Sequence, residues 1–210
     1  MRLHSSSLSL AVAVLFAAVA CVTVRAQTDV GLSIYGAFSG TTNGSSLRES
    51  PSNAAGGIIE VRHIKNTLIG YEATYSFNRA NQVYTYTGFI GCPAGFGTCT
   101  VAPVPVSANA HEITGDWVVS AHVATFRPFA LAGAGVLLNE PVSGQSLTQS
   151  STTAVYVYGA GLDWKVLPHI GLRFQYRGNV YRAPDIITEF GSVDAFKHSA
   201  EPMIGAYFRF

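Results

Sequence analysis

From Asp29 onward the chain alternates. In DVGLSIYGAFSG, Val30, Leu32, Ile34 and Phe38 share one parity and Gly31, Ser33, Ala37 and Ser39 the other, with Tyr35 the one large side chain on the small face. A period of two marks a half-buried strand, because successive Cβ atoms leave the pleat on opposite sides. GIIEVRHI sets Ile59 and Val61 against Glu60 and Arg62, and LIGYEATYSF sets Ile69, Tyr71, Ala73, Tyr75 and Phe77 against Gly70, Glu72, Thr74 and Ser76. AHEITGDWVVSA opposes Ile113, Trp117 and Val119 to Glu112, Thr114, Asp116 and Ser120. PFALAGAGVLL places Phe129, Leu131 and Leu137 on one face and small alanines on the other. AVYVYGAGLDWK and HIGLRFQYR repeat the pattern, with Tyr156, Tyr158, Leu162, Trp164, Ile170, Leu172, Phe174 and Tyr176 on the apolar face. EPMIGAYFRF ends the chain with Ile204, Ala206, Phe208 and Phe210 alternating with Met203, Gly205, Tyr207 and Arg209. The pattern predicts eight strands.

The connections alternate as well. KNT, the stretch around TFRP, and VLPH are short, whereas residues 40–56, 78–108, 139–153 and 178–198 form long links rich in Gly, Ser and Pro. Short turns on one side and long loops on the other match outer-membrane barrels. A soluble β-sandwich would alternate too, so composition has to separate the two.

Charged residues make up 12% of the sequence, against about 25% in ordinary globular chains. Past the first 26 residues no apolar run reaches the ~20 residues of a spanning helix. A chain with so few surface charges and no such helix has one way to cross a bilayer, a closed barrel whose ladder satisfies every backbone group. Aromatics near strand ends, Phe38, Phe77, Phe129, Trp164, Tyr176 and Phe208, are placed as interfacial girdles. The expected fold is an all-β, eight-stranded antiparallel up-and-down transmembrane β-barrel over residues 27–210.

Residues 1–26 read as a secretory signal: Arg2, an apolar run from Leu8 to Ala20, and VRA before Gln27. Export predicts an outer-membrane location. The alternative within this segment is lipidation of Cys21 at AVAC. Of 13 basic residues, Arg2 and Arg25 fall in the signal, leaving 11 against 12 acids, a net charge of −1. That balance excludes a nucleic-acid partner.

The small-residue face carries Glu60, Arg62, Glu72, Glu112, Asp116, Asp163, Arg173, Arg177, Glu201 and Arg209. Inside a narrow barrel such charges must pair, because an isolated buried charge is very costly. The expectation is a salt-bridged plug; the alternative is a narrow, mildly cation-preferring pore. Cys92 and Cys99, in GCPAGFGTC of the longest loop, predict a disulfide after export. No cofactor or metal is expected, since His63, His111, His122 and His169 lack ligand spacing. Ser199 and His198 are adjacent, hence on opposite faces of a strand and a poor dyad. No catalytic residue is assigned; a lipid-modifying hydrolase remains the enzyme-class alternative.

GAGLDWKVLPHIGLRFQYRG, YRAPD and AEPMIGAYFRF resemble the last hairpin and closing strand of small bacterial outer-membrane barrels, the OmpA-like and OmpX-like class. The resemblance covers residues 27–210 in layout, with its specific motifs in the final third. It implies that Ile204, Ala206, Phe208 and Phe210 form the signal read by the barrel-assembly machinery. It lacks a peptidoglycan-binding domain after the barrel, so cell-wall anchoring does not carry over. The implied partners are outer-membrane lipid, the assembly machinery and an unidentified surface ligand of the long loops, with the barrel itself a monomer and its role structural or surface-interacting.

Overall fold

The computed structural model describes residues 27–44, 47–65, 68–87, 102–145, 148–187, 193 and 195–210. The expected signal with Cys21, and the Cys92–Cys99 loop, lie outside the described residues. Ten strands follow in order: β1 (Gln27–Ser39), β2 (Thr42–Asn43), β3 (Leu47–Pro51), β4 (Ala54–Ile64), β5 (Ile69–Tyr86), β6 (Val104–Ser120), β7 (Phe126–Pro141), β8 (Ser151–Lys165), β9 (Ile170–Arg182) and β10 (Phe196–Arg209).

Eight of them, β1 and β4 to β10, close an antiparallel barrel in which sequence neighbours pair and β10 returns to β1, with Val30 opposite Phe208 and Ile34 opposite Ile204. Closure leaves no barrel edge to pair elsewhere. The three short connections, 65–68, 121–125 and 166–169, lie at one end with Gln27 and Phe210. Burial alternates along β1 as the sequence pattern requires: Leu32 and Ile34 are exposed, whereas Ser33, Tyr35 and Ala37 are buried. The apolar outward face has a definite upper limit. On β5 it runs Ile69, Tyr71, Ala73, Tyr75, Phe77 and then turns to Arg79 and Asn81, so the strand leaves the lipid zone near Phe77.

Beyond that limit β5 and β6 continue as a hairpin arm, and β2 and β3 add to its flank. Segments that read as loops in the sequence are therefore partly strand. β3 and β4 are nearly one strand: pairing with β5 slips by one residue between Pro51↔Gln82 and Gly56↔Asn78, a bulge that bends the arm over the barrel mouth.

One face assignment is reversed. Phe129, Leu131 and Leu137 point into the barrel, and Phe126, Ala130, Ala132, Ala134 and Val136 point to lipid. Phe129 is thus not a girdle residue. Arg127 and Asn139 share its parity and carry it inward, where the Arg62 guanidinium lies 3.9 Å above the ring centroid, a favourable cation–π arrangement. With Val118, Val155 and Val157 these side chains line one wall of the lumen with hydrocarbon.

The remaining aromatics form two belts. Stacked pairs Phe126–Trp164 and His169–Phe208 sit at the turn end, and the tilted pair Phe77–His111 and the stacked pair Tyr158–His198 at the loop end. Three of the four histidines with no ligand spacing in the sequence thus fall into place, His111 in the loop-end belt with His198, and His169 and His63, the latter beside Tyr71, in the turn-end belt.

Gly171 marks a point of close approach: a Cβ there would lie 2.3 Å from the Tyr207 ring, which stands between the guanidiniums of Arg173 and Arg209. Gly171→Ala is expected to destabilise the barrel by about 1–2 kcal/mol through overpacking, read as a lower urea midpoint, with Tyr207→Ala restoring tolerance of the added methyl.

Candidate functional site

The lumen is the natural place to look, since all ten charged residues expected there from the sequence are buried in it. Eight strands enclose a space that side chains alone can fill, and here they do so by bridging opposite walls. Arg127 of β7 meets Asp29 of β1. Arg62 of β4 reaches Asp163 of β8 at 3.4 Å. Arg177 of β9 reaches Thr74 of β5 at 3.2 Å and Glu72 at 4.0 Å. Each of these pairs spans a diameter of the barrel.

Nearest the turn end, Arg209 holds Asp29 at 2.8 Å. Above it Asp163 receives three arginines, Arg62, Arg127 at 2.7 Å and Arg173 at 2.7 Å. Arg62 also binds Glu72 at 2.6 Å, and Arg173 lies 3.3 Å from Glu60, which accepts from the Ser33 hydroxyl at 2.9 Å. In this tier four acids, Asp29, Glu60, Glu72 and Asp163, balance four arginines, Arg62, Arg127, Arg173 and Arg209. The next tier centres on Arg177, with Asp116 at 3.1 Å, Glu112 at 3.6 Å and Thr114 at 2.6 Å. Asn179 then donates to both Glu112 and Glu201, and Ser199 donates to Glu201 at 3.2 Å. His198 points the other way, toward Tyr158 at 2.8 Å, so the two residues cannot act as a dyad.

Above this tier lies a chamber of about 50 Å³, room for about three to five waters at the ~10–15 Å³ each requires. A second buried pair, Lys197 with Glu49 at 2.6 Å, ties β10 to β3 near the chamber. An apolar cap covers the barrel mouth: Leu47, Tyr84, Val106 and Ala108 of the arm pack against Ala183, Ile186, Ile187 and Val193 of the segment after β9. The cap is fastened by the Tyr84 hydroxyl to the Pro184 carbonyl at 3.0 Å and by the Gln149 amide to the Ile186 carbonyl at 2.8 Å. Burial, with Glu49 and Asp185 nearby, pushes the Tyr84 phenol up and keeps it a donor.

Asp29, Arg127, Glu49 and Lys197 belong to the network although the alternation does not mark them. Asp29 precedes the first apolar position, Arg127 sits beside Pro128 in what reads as a turn, and Glu49 and Lys197 fall in segments that read as loops. The parity of Asp29 with Gly31 could have found the first, whereas Arg127 shares the parity of Phe129, which reads as outward in the sequence.

Glu49 lies beyond the lipid zone, and burial raises its pKa against the pull of Lys197. Lys197→Met is expected to cost about 3 kcal/mol at neutral pH by stranding that carboxylate. Because the raised pKa means the folded state takes up a proton more readily than the unfolded chain, the loss should shrink as pH falls through it. Urea midpoints at neutral and mildly acidic pH check both statements.

No family model and no curated protein sequence matches the chain. Solved structures do. Ail, the attachment invasion locus protein of Yersinia pestis, solved with the heparin analogue sucrose octasulfate, superposes with a TM-score of 0.53 at 17% identity, covering 89% of this chain and 100% of Ail. The outer membrane protein OprG of Pseudomonas aeruginosa gives a TM-score of 0.52 at 10% identity, covering 88% and 95% of the two chains. Neisserial surface protein A gives 0.51 at 14% identity, covering 88% and 97%. Closed topology, an apolar outward band between two aromatic belts and these superpositions agree: the chain has the fold of the small eight-stranded outer-membrane β-barrels.

Proposed function

We propose that this chain is a non-catalytic outer-membrane protein, a sealed monomeric barrel that holds a rigid platform of arm and cap outside the bilayer for contact with partners at the cell surface. The observation that carries this reading is that the lumen is blocked at two levels. A solute path would need a wet constriction, whereas a tier of paired, buried charges is topped by a hydrocarbon cap. Ail is named for attachment and Neisserial surface protein A for its place at the surface, and each presents the same barrel. Lipid is the partner of the apolar band, and the barrel-assembly machinery acts during insertion through Ile204, Ala206, Phe208 and Phe210.

Two measurements test the reading together. In a planar bilayer the refolded barrel should be electrically silent, and cells displaying it should lose surface adhesion when the arm, residues 79–107, is replaced by a short turn while the barrel still folds. Discrete, reproducible openings would replace this function with a pore, and adhesion unchanged by loss of the arm would remove the platform role.

A further inference from the structure

Three of the barrel's four diameters join acid to base: β1 to β7, β4 to β8 and β5 to β9. The fourth, β6 to β10, sets acid against acid. Glu112 and Glu201 face each other across the lumen and accept from the same Asn179 amide nitrogen, at 2.9 and 3.1 Å. The imbalance is confined to one level. The tier below is neutral and the Glu49–Lys197 pair above is neutral, but Arg177 alone answers Asp116, Glu112 and Glu201. Fully ionised, this level carries two negative charges in excess, and Glu112 and Glu201 both line the floor of the chamber.

Other groups there are also incomplete. Asn179 and Asn139, each 2% exposed, line the chamber, and the Asn179 Oδ1 and Asn139 Nδ2 atoms have no hydrogen-bond partner. Glu112 Oε1 accepts no hydrogen bond and has only the Arg177 guanidinium near it, at 3.6 Å. Half a turn of the Asn179 amide would set its unpartnered oxygen beside the two carboxylates, three oxygens that a bound cation would hold together, as would a proton on one carboxyl.

We propose that the chamber floor is a binding site for one hard divalent cation, with Glu112, Glu201 and Asn179 as ligands and the chamber's waters completing the shell. Two charges call for a divalent ion, since a monovalent one leaves the tier negative. A volume of about three to five waters suits a partly hydrated ion better than a carbon chain. Oxygen donors only, with waters retained, are what calcium and magnesium accept. Among the described residues no three His, Cys, Asp or Glu side chains converge as a full protein cage, so the waters are part of the site. The ion would complete the fourth diameter, and its binding is independent of what the outer platform contacts.

The test uses the full chain refolded in a neutral detergent and titrated with calcium chloride by calorimetry. One ion per chain is expected, weakened at least tenfold by Glu201→Gln and by Glu112→Gln and unchanged by Glu140→Gln on the exposed rim of β7. A stability crossover guards against variants that bind nothing because they misfold. In chelator, Glu201→Gln should resist urea better than the parent, because it removes an uncompensated charge, and calcium should close that gap by stabilising the parent alone. Absence of saturable binding into the millimolar range, equal binding in all variants, or a urea gap indifferent to calcium would each overturn the proposal, the last by showing that the carboxyls merely take up protons.

Discussion

Asp163→Ala is expected to lower the unfolding free energy by about 5 kcal/mol, the upper end of what breaking one buried ion pair costs. Asp163 is fully buried and is the shared partner of Arg62, Arg127 and Arg173. Removing it leaves these three guanidiniums and Arg209 with only Asp29, Glu60 and Glu72 to answer them in a narrow space. The uncompensated positive charge, rather than the missing hydrogen bonds, sets the size of the effect. That distinction is testable, because Asp163→Ala combined with Arg127→Met should recover part of the stability, as the double variant strands less charge than the single one. Urea titrations followed by the fluorescence of Trp117 and Trp164 would measure both, and additive losses would mean that the arginines relax into solvent instead.

Ile186→Asp should act on a different unit. Ile186 is fully buried in the apolar cap, so a carboxylate there meets no partner and little water. The cap rests on the barrel through a few hydrogen bonds and its own hydrocarbon packing, and the charge network below does not depend on it. Release of the segment is therefore the cheaper response than unfolding of the barrel. Amide exchange at Ile186 and Ile187 should speed up by at least a hundredfold, while the strand amides of β8 and β9 stay protected. The barrel should remain silent in a bilayer even so, because Asp163 and its arginines still fill the cross-section. Conduction in this variant would show that the cap, not the ion pairs, is the seal.

The barrel is largely legible in the sequence because lipid outside and a filled lumen inside impose a strict period of two on all eight strands. The exception, β7, shows where periodicity stops being decisive. Its two faces are one of small alanines and one of large hydrocarbons, and either could meet lipid when the opposite wall supplies charges that lie over the hydrocarbon. Arg127 settles the parity, but beside Pro128 it reads as part of a turn. The hairpin arm is hidden for a related reason. From Arg79 to Tyr86 the buried face carries polar Gln82 beside Tyr84 and the exposed face carries apolar Val83 beside Asn81, so no contrast in polarity marks the strand. The Lys197–Glu49 pair joins residues 148 positions apart, and nothing local in either segment announces it. Within the lumen the membership of ten residues is readable from parity, whereas who pairs with whom depends on the stagger of the strands.

The bridges across the lumen join strands that come together only when the sheet has curled through a full turn. Asp29 is held at once by Arg209, on the neighbouring strand of the closing seam, and by Arg127 from the far wall. An open sheet can form neither bond. The energy of these cross-lumen bonds is thus absent from early, unclosed states, and interactions of that kind set how fast a folded molecule comes apart rather than how fast it forms. The charged interior works as a latch dropped after the door has shut, giving the barrel a long lifetime in the membrane without slowing its entry.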